Sequence, residues 1–165
     1  MLQLDVARLK RSPGDSDSFS LSEELPPLEL QGEKISFGGP VKASFTVANN
    51  GKLLRVEGTV SGELWLTCGR CLEPFTFAFD LPVAENYVYG SEAASEDAVA
   101  FTGDLLDVTP EVYKDIIMDL PMKALCGDDC PGLCPGCGRR LDQGTCDCAG
   151  AEIDSRLTAL KKLLE

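Results

Sequence analysis

Eight cysteines fall in four tight pairs, Cys68/Cys71, Cys126/Cys130, Cys134/Cys137 and Cys146/Cys148, in a chain of 165 residues that contains no histidine. No other feature narrows the possible folds so much. Thiolate pairs two to four residues apart are the usual means by which a short loop wraps half of a tetrahedral zinc ion. Two such pairs complete one site, and eight thiols make two.

Other uses of cysteine fit less well. A disulfide framework suits short secreted chains, and the leading residues, Met1 to Arg8, lack the apolar run of a signal peptide. A redox pair at Cys68-Gly69-Arg70-Cys71 would call for a βαβ context, whereas its flanks alternate like a β-hairpin. Metal-bound or free thiols in turn imply the cytoplasm. Within the metal reading, Cys134-Pro135-Gly136-Cys137-Gly138 is a knuckle whose glycines let amide groups curl toward sulfur, and Cys146-Asp147-Cys148 is a tighter clamp just beyond it. The short intervening loop favours closing these four around one ion, leaving Cys68, Cys71, Cys126 and Cys130 for the other. The rival grouping, Cys126, Cys130, Cys134 and Cys137 with Cys68, Cys71, Cys146 and Cys148, costs more loop closure.

The hydrophobic fraction of 44% supports one ordinary core with a small metal-ordered appendage. No stretch has the length of a membrane-spanning helix. The formal net charge is −12; two four-thiolate zinc sites would carry it to about −16. From Cys71 through Tyr113 there is no Lys or Arg, while Glu73, Asp80, Glu85, Glu92, Glu96, Asp97, Asp104, Asp107 and Glu111 all fall there. Such a belt repels phosphate backbone. It serves either as a solvated face or as a surface for a basic partner.

Patterning along the chain predicts an α+β fold: a small antiparallel β-meander covered by a helix, with a cysteine-rich, zinc-stabilised C-terminal segment. Residues 1–11 can pair as a short strand, and 12–31, rich in Ser, Pro, Asp and Glu, read as a loop. Val41, Ala43, Phe45 and Val47 then alternate, Asn49-Asn50-Gly51 turns, and a longer alternating run follows from Leu54 to Thr67. Gly58 and Gly62 within it predict a bend or bulge. Phe75, Phe77, Phe79 and Leu81 form the third strand, which puts the first cysteine pair at a hairpin tip. Residues 85–106 read as a mobile acidic connection. Thr109-Pro110-Glu111 announces a helix as N-cap, first-turn proline and early acid, ending at Pro121. A final helix is expected from about Asp154, with Ile153, Leu157, Leu160 and Leu164 as its stripe packing on the domain's own core. The resulting division is 1–34, N-terminal strand and loop; 35–125, sheet and helix core; 126–165, zinc-knuckle tail and C-terminal helix.

Several of these residues together resemble a known family. Cys68-Gly69-Arg70-Cys71-Leu72-Glu73-Pro74-Phe75, Asp119-Leu120-Pro121-Met122, and the run from Leu125-Cys126 to Cys137-Gly138 lie in order with Cys146-Asp147-Cys148 and Ile153-Asp154-Ser155-Arg156-Leu157. Over roughly residues 35–165 the chain is similar to the bacterial YceD family. That resemblance implies a non-enzymatic role in accumulation of 23S large-subunit ribosomal RNA, through its synthesis, processing or stability.

The residues themselves argue against catalysis. Four thiolates leave zinc no open position for water, no histidine is available as a base, and no phosphate loop or nucleophile motif appears. Two non-enzymatic readings remain. One is an assembly factor touching RNA through Arg70, Lys123, Arg139 and Arg140, all expected near metal. The other is an adaptor whose acidic belt meets a basic ribosomal or transcription-related protein, which the net charge favours. Arg70 could equally serve the metal site alone. A zinc-thiolate redox-sensing regulator is the alternative function drawn from the same cysteines.

Overall fold

The alternating apolar residues build one long sheet. The computed structural model describes residues 1–30, 32–90, 98–144, 146 and 148. Its main sheet has five strands, β2 (Ser16–Glu23), β5 (Val41–Asn49), β6 (Leu54–Thr67), β7 (Pro74–Tyr89) and β8 (Val99–Phe101), in that spatial order. All neighbours are antiparallel except β7 and β8. Two small ribbons complete the described strands: β1 (Gln3–Asp5) with β9 (Leu105–Asp107), and β3 (Leu28–Leu30) with β4 (Glu33–Ile35). Among the described residues one α-helix, α1 (Thr109–Asp119), packs against β7. The architecture is therefore α+β and mostly β, as the alternation predicts. No helix among the described residues is long and apolar enough to cross a membrane.

Register explains the face that is buried. Val47 stands opposite Val56 and Ala43 opposite Val60, while Leu64 faces Phe77 and Leu54 faces Tyr87. These side chains, with Val112 and Ile116 of α1, form the core, and each fully buried aliphatic residue contributes roughly 1.5–3 kcal/mol. The ladder from β5 through β6 to β7 runs without interruption, so Gly58 and Gly62 do not mark bulges. They make room instead. Gly58 pairs with Phe45 and Gly62 with Phe79; a Cβ on Gly58 would lie 2.0 Å from the Ser44 carbonyl oxygen, and one on Gly62 would lie 2.8 Å from the Phe79 ring.

Three further expectations are corrected. Residues 12–31 are not a loop, because β2 pairs along its whole length with β5 and half-buries Phe19 and Leu21. The serines between these residues hide the alternation. The 85–106 stretch is likewise not a mobile connection where described: β7 continues to Tyr89, β8 adds to the sheet and β9 holds β1. Thr109 is not the N-cap, a place taken by Val108. Its hydroxyl accepts the Leu2 N–H at 2.8 Å, and its own N–H donates to Asp107 Oδ1 at 3.0 Å. The Asn49-Asn50-Gly51 turn is present, closed by Asn50 Oδ1, which accepts from Lys52 and Leu53 N–H. The predicted C-terminal helix lies outside the described residues.

Candidate metal centres

The first cysteine pair sits where β6 turns into β7. Cys68 N–H donates to the Glu73 carbonyl at 2.9 Å and Leu72 N–H to the Cys68 carbonyl at 2.9 Å, curling the chain so tightly that Leu72 takes a φ of +60°. The Gly69 N–H reaches across to the Ala124 carbonyl at 2.8 Å. That bond brings the segment after α1, with Cys126 and Cys130, under the hairpin tip. The second knuckle closes through its own backbone: Cys134 N–H donates to the Arg139 carbonyl, and Gly138, at φ +71°, donates to the Cys134 carbonyl, both at 2.8 Å.

The eight thiols thereby gather into two groups, Cys68/Cys71/Cys126/Cys130 and Cys134/Cys137/Cys146/Cys148, each with all Sγ atoms within 4.8 Å of one another. All eight are free thiols. Sulfurs held about 2.3 Å from a tetrahedral zinc stand about 3.8 Å apart. Cys71 to Cys126 is 3.7 Å and Cys68 to Cys130 is 3.9 Å, while Cys134 and Cys146 are closer at 3.2 Å. A disulfide would require about 2.05 Å. The donor set and its spacing fit a four-thiolate metal ion in both places.

Hydrogen bonds favour the thiolate form of one sulfur in each group. Those from the backbone amides of Cys126 and then Cys71 hold the Cys68 thiol down at about 6. Cys134 is likewise lowered to about 6, first by the Cys146 thiol and then by the Cys137 and Gly136 amides. Cys126 is pushed up to about 12 by hydrogen bonds with Cys130, Cys68 and Cys71, and Cys148 to about 12 by those with Cys137, Cys134 and Cys146. A group of thiols with one preformed anion and protons shared among the rest is a site that releases protons as a cation binds.

The four basic residues expected beside the metal have different fates. Arg70 Nη1 donates to the Asp128 and Cys130 carbonyls at 2.9 and 3.0 Å, which secures the loop between two cysteines. Arg140 is clasped by Glu73 at 2.6 Å and by Asp142, whose hydrogen bonds raise its pKa further. Lys123 and Arg139 are exposed and make no ion pair among the described residues. Glu73 was legible only as a member of the acidic belt; its partner lies 67 residues further along the chain. Beside the first group runs an open groove lined by Trp65, Leu72, Pro121 and Met122, which no sequence pattern marked. Trp65, on the solvent face of β6, is 48% exposed, and Leu72 and Met122 more so.

A protein-family model described as "Large ribosomal RNA subunit accumulation protein YceD" matches residues 56–164, which span both cysteine groups. The "Uncharacterized protein YlbN" of Bacillus subtilis is 26% identical over 97% of this chain and 95% of its own length. An uncharacterized protein of Mycobacterium tuberculosis is 31% identical over 83% of this chain and 69% of its own. A chloroplastic "Large ribosomal RNA subunit accumulation protein YCED homolog 1" of Arabidopsis thaliana is 26% identical over 78% of this chain and half of its own. No solved structure matches the chain.

Proposed function

We infer the function from a premise that the match over residues 56–164 establishes: the chain belongs to the YceD family of large ribosomal RNA subunit accumulation proteins. On that premise it is a factor required for large-subunit (23S) ribosomal RNA to accumulate, acting in the cytoplasm without catalysing a reaction. Family membership is the observation that carries this reading.

Zinc is the ion that the two thiol groups suit best, because four sulfur donors at tetrahedral spacing satisfy it completely. Cys68, Cys71, Cys126 and Cys130 would hold one ion and Cys134, Cys137, Cys146 and Cys148 the other. A closed four-sulfur shell supplies structural cross-linking and no Lewis-acid position for substrate.

The partner is a basic protein of the ribosome or its transcription machinery. Net charge supports this, and so does the groove at the hairpin tip, where Trp65, Leu72 and Met122 offer the exposed apolar anchors common at protein interfaces. Part of the acidic belt is committed internally, since Glu73 binds Arg140, Asp104 binds Lys10 and Glu111 accepts from Tyr87. Asp80, exposed on β7, remains for an external partner.

Depleting the protein should lower large-subunit relative to small-subunit ribosomal RNA, measured by quantifying both after depletion. Equal amounts would reject the ribosomal role. Crosslinking in cells should recover basic proteins ahead of RNA, and an RNA-dominated yield would reject the adaptor.

A further inference from the structure

The geometry points to a second binding site, far from the cysteines: a cavity of about 280 Å³ where Arg11 and Lys52 take a phosphate of single-stranded RNA. It rests on the ribosomal RNA reading above and gives that reading a place of contact.

The cavity lies between the β5–β6 turn, the short 3₁₀ turn Leu9–Arg11 and the end of β7. Three cations line it, Lys10, Arg11 and Lys52, and no carboxylate does. In a chain of net charge −12 this local excess stands out against its surroundings. The three cations are not equivalent. Lys10 is held, its ammonium 2.7 Å from Asp104 and 4.0 Å above the Tyr89 ring. Arg11 and Lys52 are exposed, and their side chains make no ion pair or hydrogen bond among the described residues; Arg11 stands near enough to Asp104 to help hold that carboxyl below its usual range, behind the closer Lys10. Several cations elsewhere are already paired, Arg8 with Asp17, Arg55 with Glu57 and Arg140 with Glu73.

The two unpaired charges also stand on fixed backbone. Asn49 is buried; its Nδ2 donates to the Leu9 carbonyl at 2.6 Å and its Oδ1 accepts the Gly51 N–H at 2.8 Å. One side chain thus ties the turn carrying Lys52 to the turn carrying Arg11. Preorganised charges bind an anion at less cost in ordering than mobile ones.

Pro13, Leu53 and Tyr89 supply the remaining wall. Tyr89 is 60% exposed, one face of its ring covered by Lys10. Two cations beside apolar and aromatic surface match a sugar and phosphate with an unstacked base better than they match a carboxylate peptide. A single strand can enter one small basic cavity, whereas a rigid duplex would bring rows of phosphates against the acidic surface. The site opens at the Leu54 and Tyr89 ends of β6 and β7, and the cysteines lie at the other ends. Fourteen residues of strand separate them, on the order of 40 Å.

The test uses the 165-residue chain loaded with zinc and a short fluorescein-labelled single-stranded RNA of mixed sequence, with anisotropy read over a series of salt concentrations. One neutralised phosphate predicts a log–log salt slope of about −0.7. Arg11→Gln with Lys52→Gln should flatten that slope and weaken binding about tenfold, whereas Lys123→Gln with Arg139→Gln should change it less than about twofold. Circular dichroism of both double variants should match the parent, since neither exposed pair supports the fold. Binding by the Arg11/Lys52 variant equal to the parent overturns the site, as does displacement of the RNA by polyglutamate as readily as by unlabelled RNA. In depleted cells the same variant should restore large-subunit RNA only in part, and full restoration overturns the site's role there. Absence of any deficit on depletion would defeat the ribosomal reading alone, and the salt slope would still decide the cavity.

Discussion

The two cysteine groups share a chemistry and differ in what they hold together. Cys68 and Cys71 are buried at the end of the long hairpin, and their partners Cys126 and Cys130 arrive from beyond α1, so the first group joins segments 55 residues or more apart in sequence. In the second group only Cys134 is buried, and its members fall within one stretch from Cys134 to Cys148. Closing the longer loop costs about 1–2 kcal/mol more chain entropy, which makes the first centre the one that constrains the unfolded chain more. One is a staple of the domain. The other orders a loop.

That contrast can be broken by removing one ligand at a time. Cys71→Ser should lower the zinc content from two ions per chain to one and depress the melting temperature by roughly 10 °C or more, read by elemental analysis and calorimetry on the same sample. An unchanged melting temperature would show that the hairpin tip needs no staple. Cys148→Ser should also lose one ion, but with the main transition within about 2 °C of the parent. Simultaneous loss of both ions in either variant would mean that the two regions behave as one. The smallest effect belongs to the clasp between them. Arg140→Ala removes a partly exposed link to Glu73 and Asp142, a weak one because exposed ion pairs contribute little; it should leave zinc stoichiometry intact and speed transfer of the second ion to a chelator a few-fold. A rate equal to the parent's would show that the clasp does not restrain the second loop.

The legible parts of the fold were those written in short-range patterns. Val41 to Val47 and Leu54 to Leu66 alternate cleanly because one face is buried and the other is wet, and the cysteine spacing states its own coordination geometry. What escaped is long-range or hidden by composition. In β2, Ser18, Ser20 and Ser22 occupy the outward face and leave only Phe19 and Leu21 as the apolar rhythm, too little to separate a strand from a polar loop. Thr109 satisfies every local rule for an N-cap, yet its hydroxyl is claimed by Leu2, 107 residues away. Arg140 read as a free cation and is instead bound between the cysteine loops, while Arg70, which could be read as a contact for RNA or as a support of its loop, takes the second role. The cavity at Arg11 and Lys52 joins a turn near residue 10 to one near residue 50, a juxtaposition created by the register of β2 with β5 and by Asn49 between the turns.

The ribbon of β1 with β9 has a consequence for how the protein is made. Leu2, Leu4 and Val6 are wholly buried, and their strand pairs with residues that a ribosome adds about a hundred positions later. At about 5–20 residues per second these apolar residues must wait several seconds after their synthesis before their place exists. The sheet from β2 to β7 can be assembled in that interval, each strand finding a neighbour already synthesised or soon to follow. The β1 segment thus closes only after the sheet from β2 to β7 can form, although it is translated before that sheet.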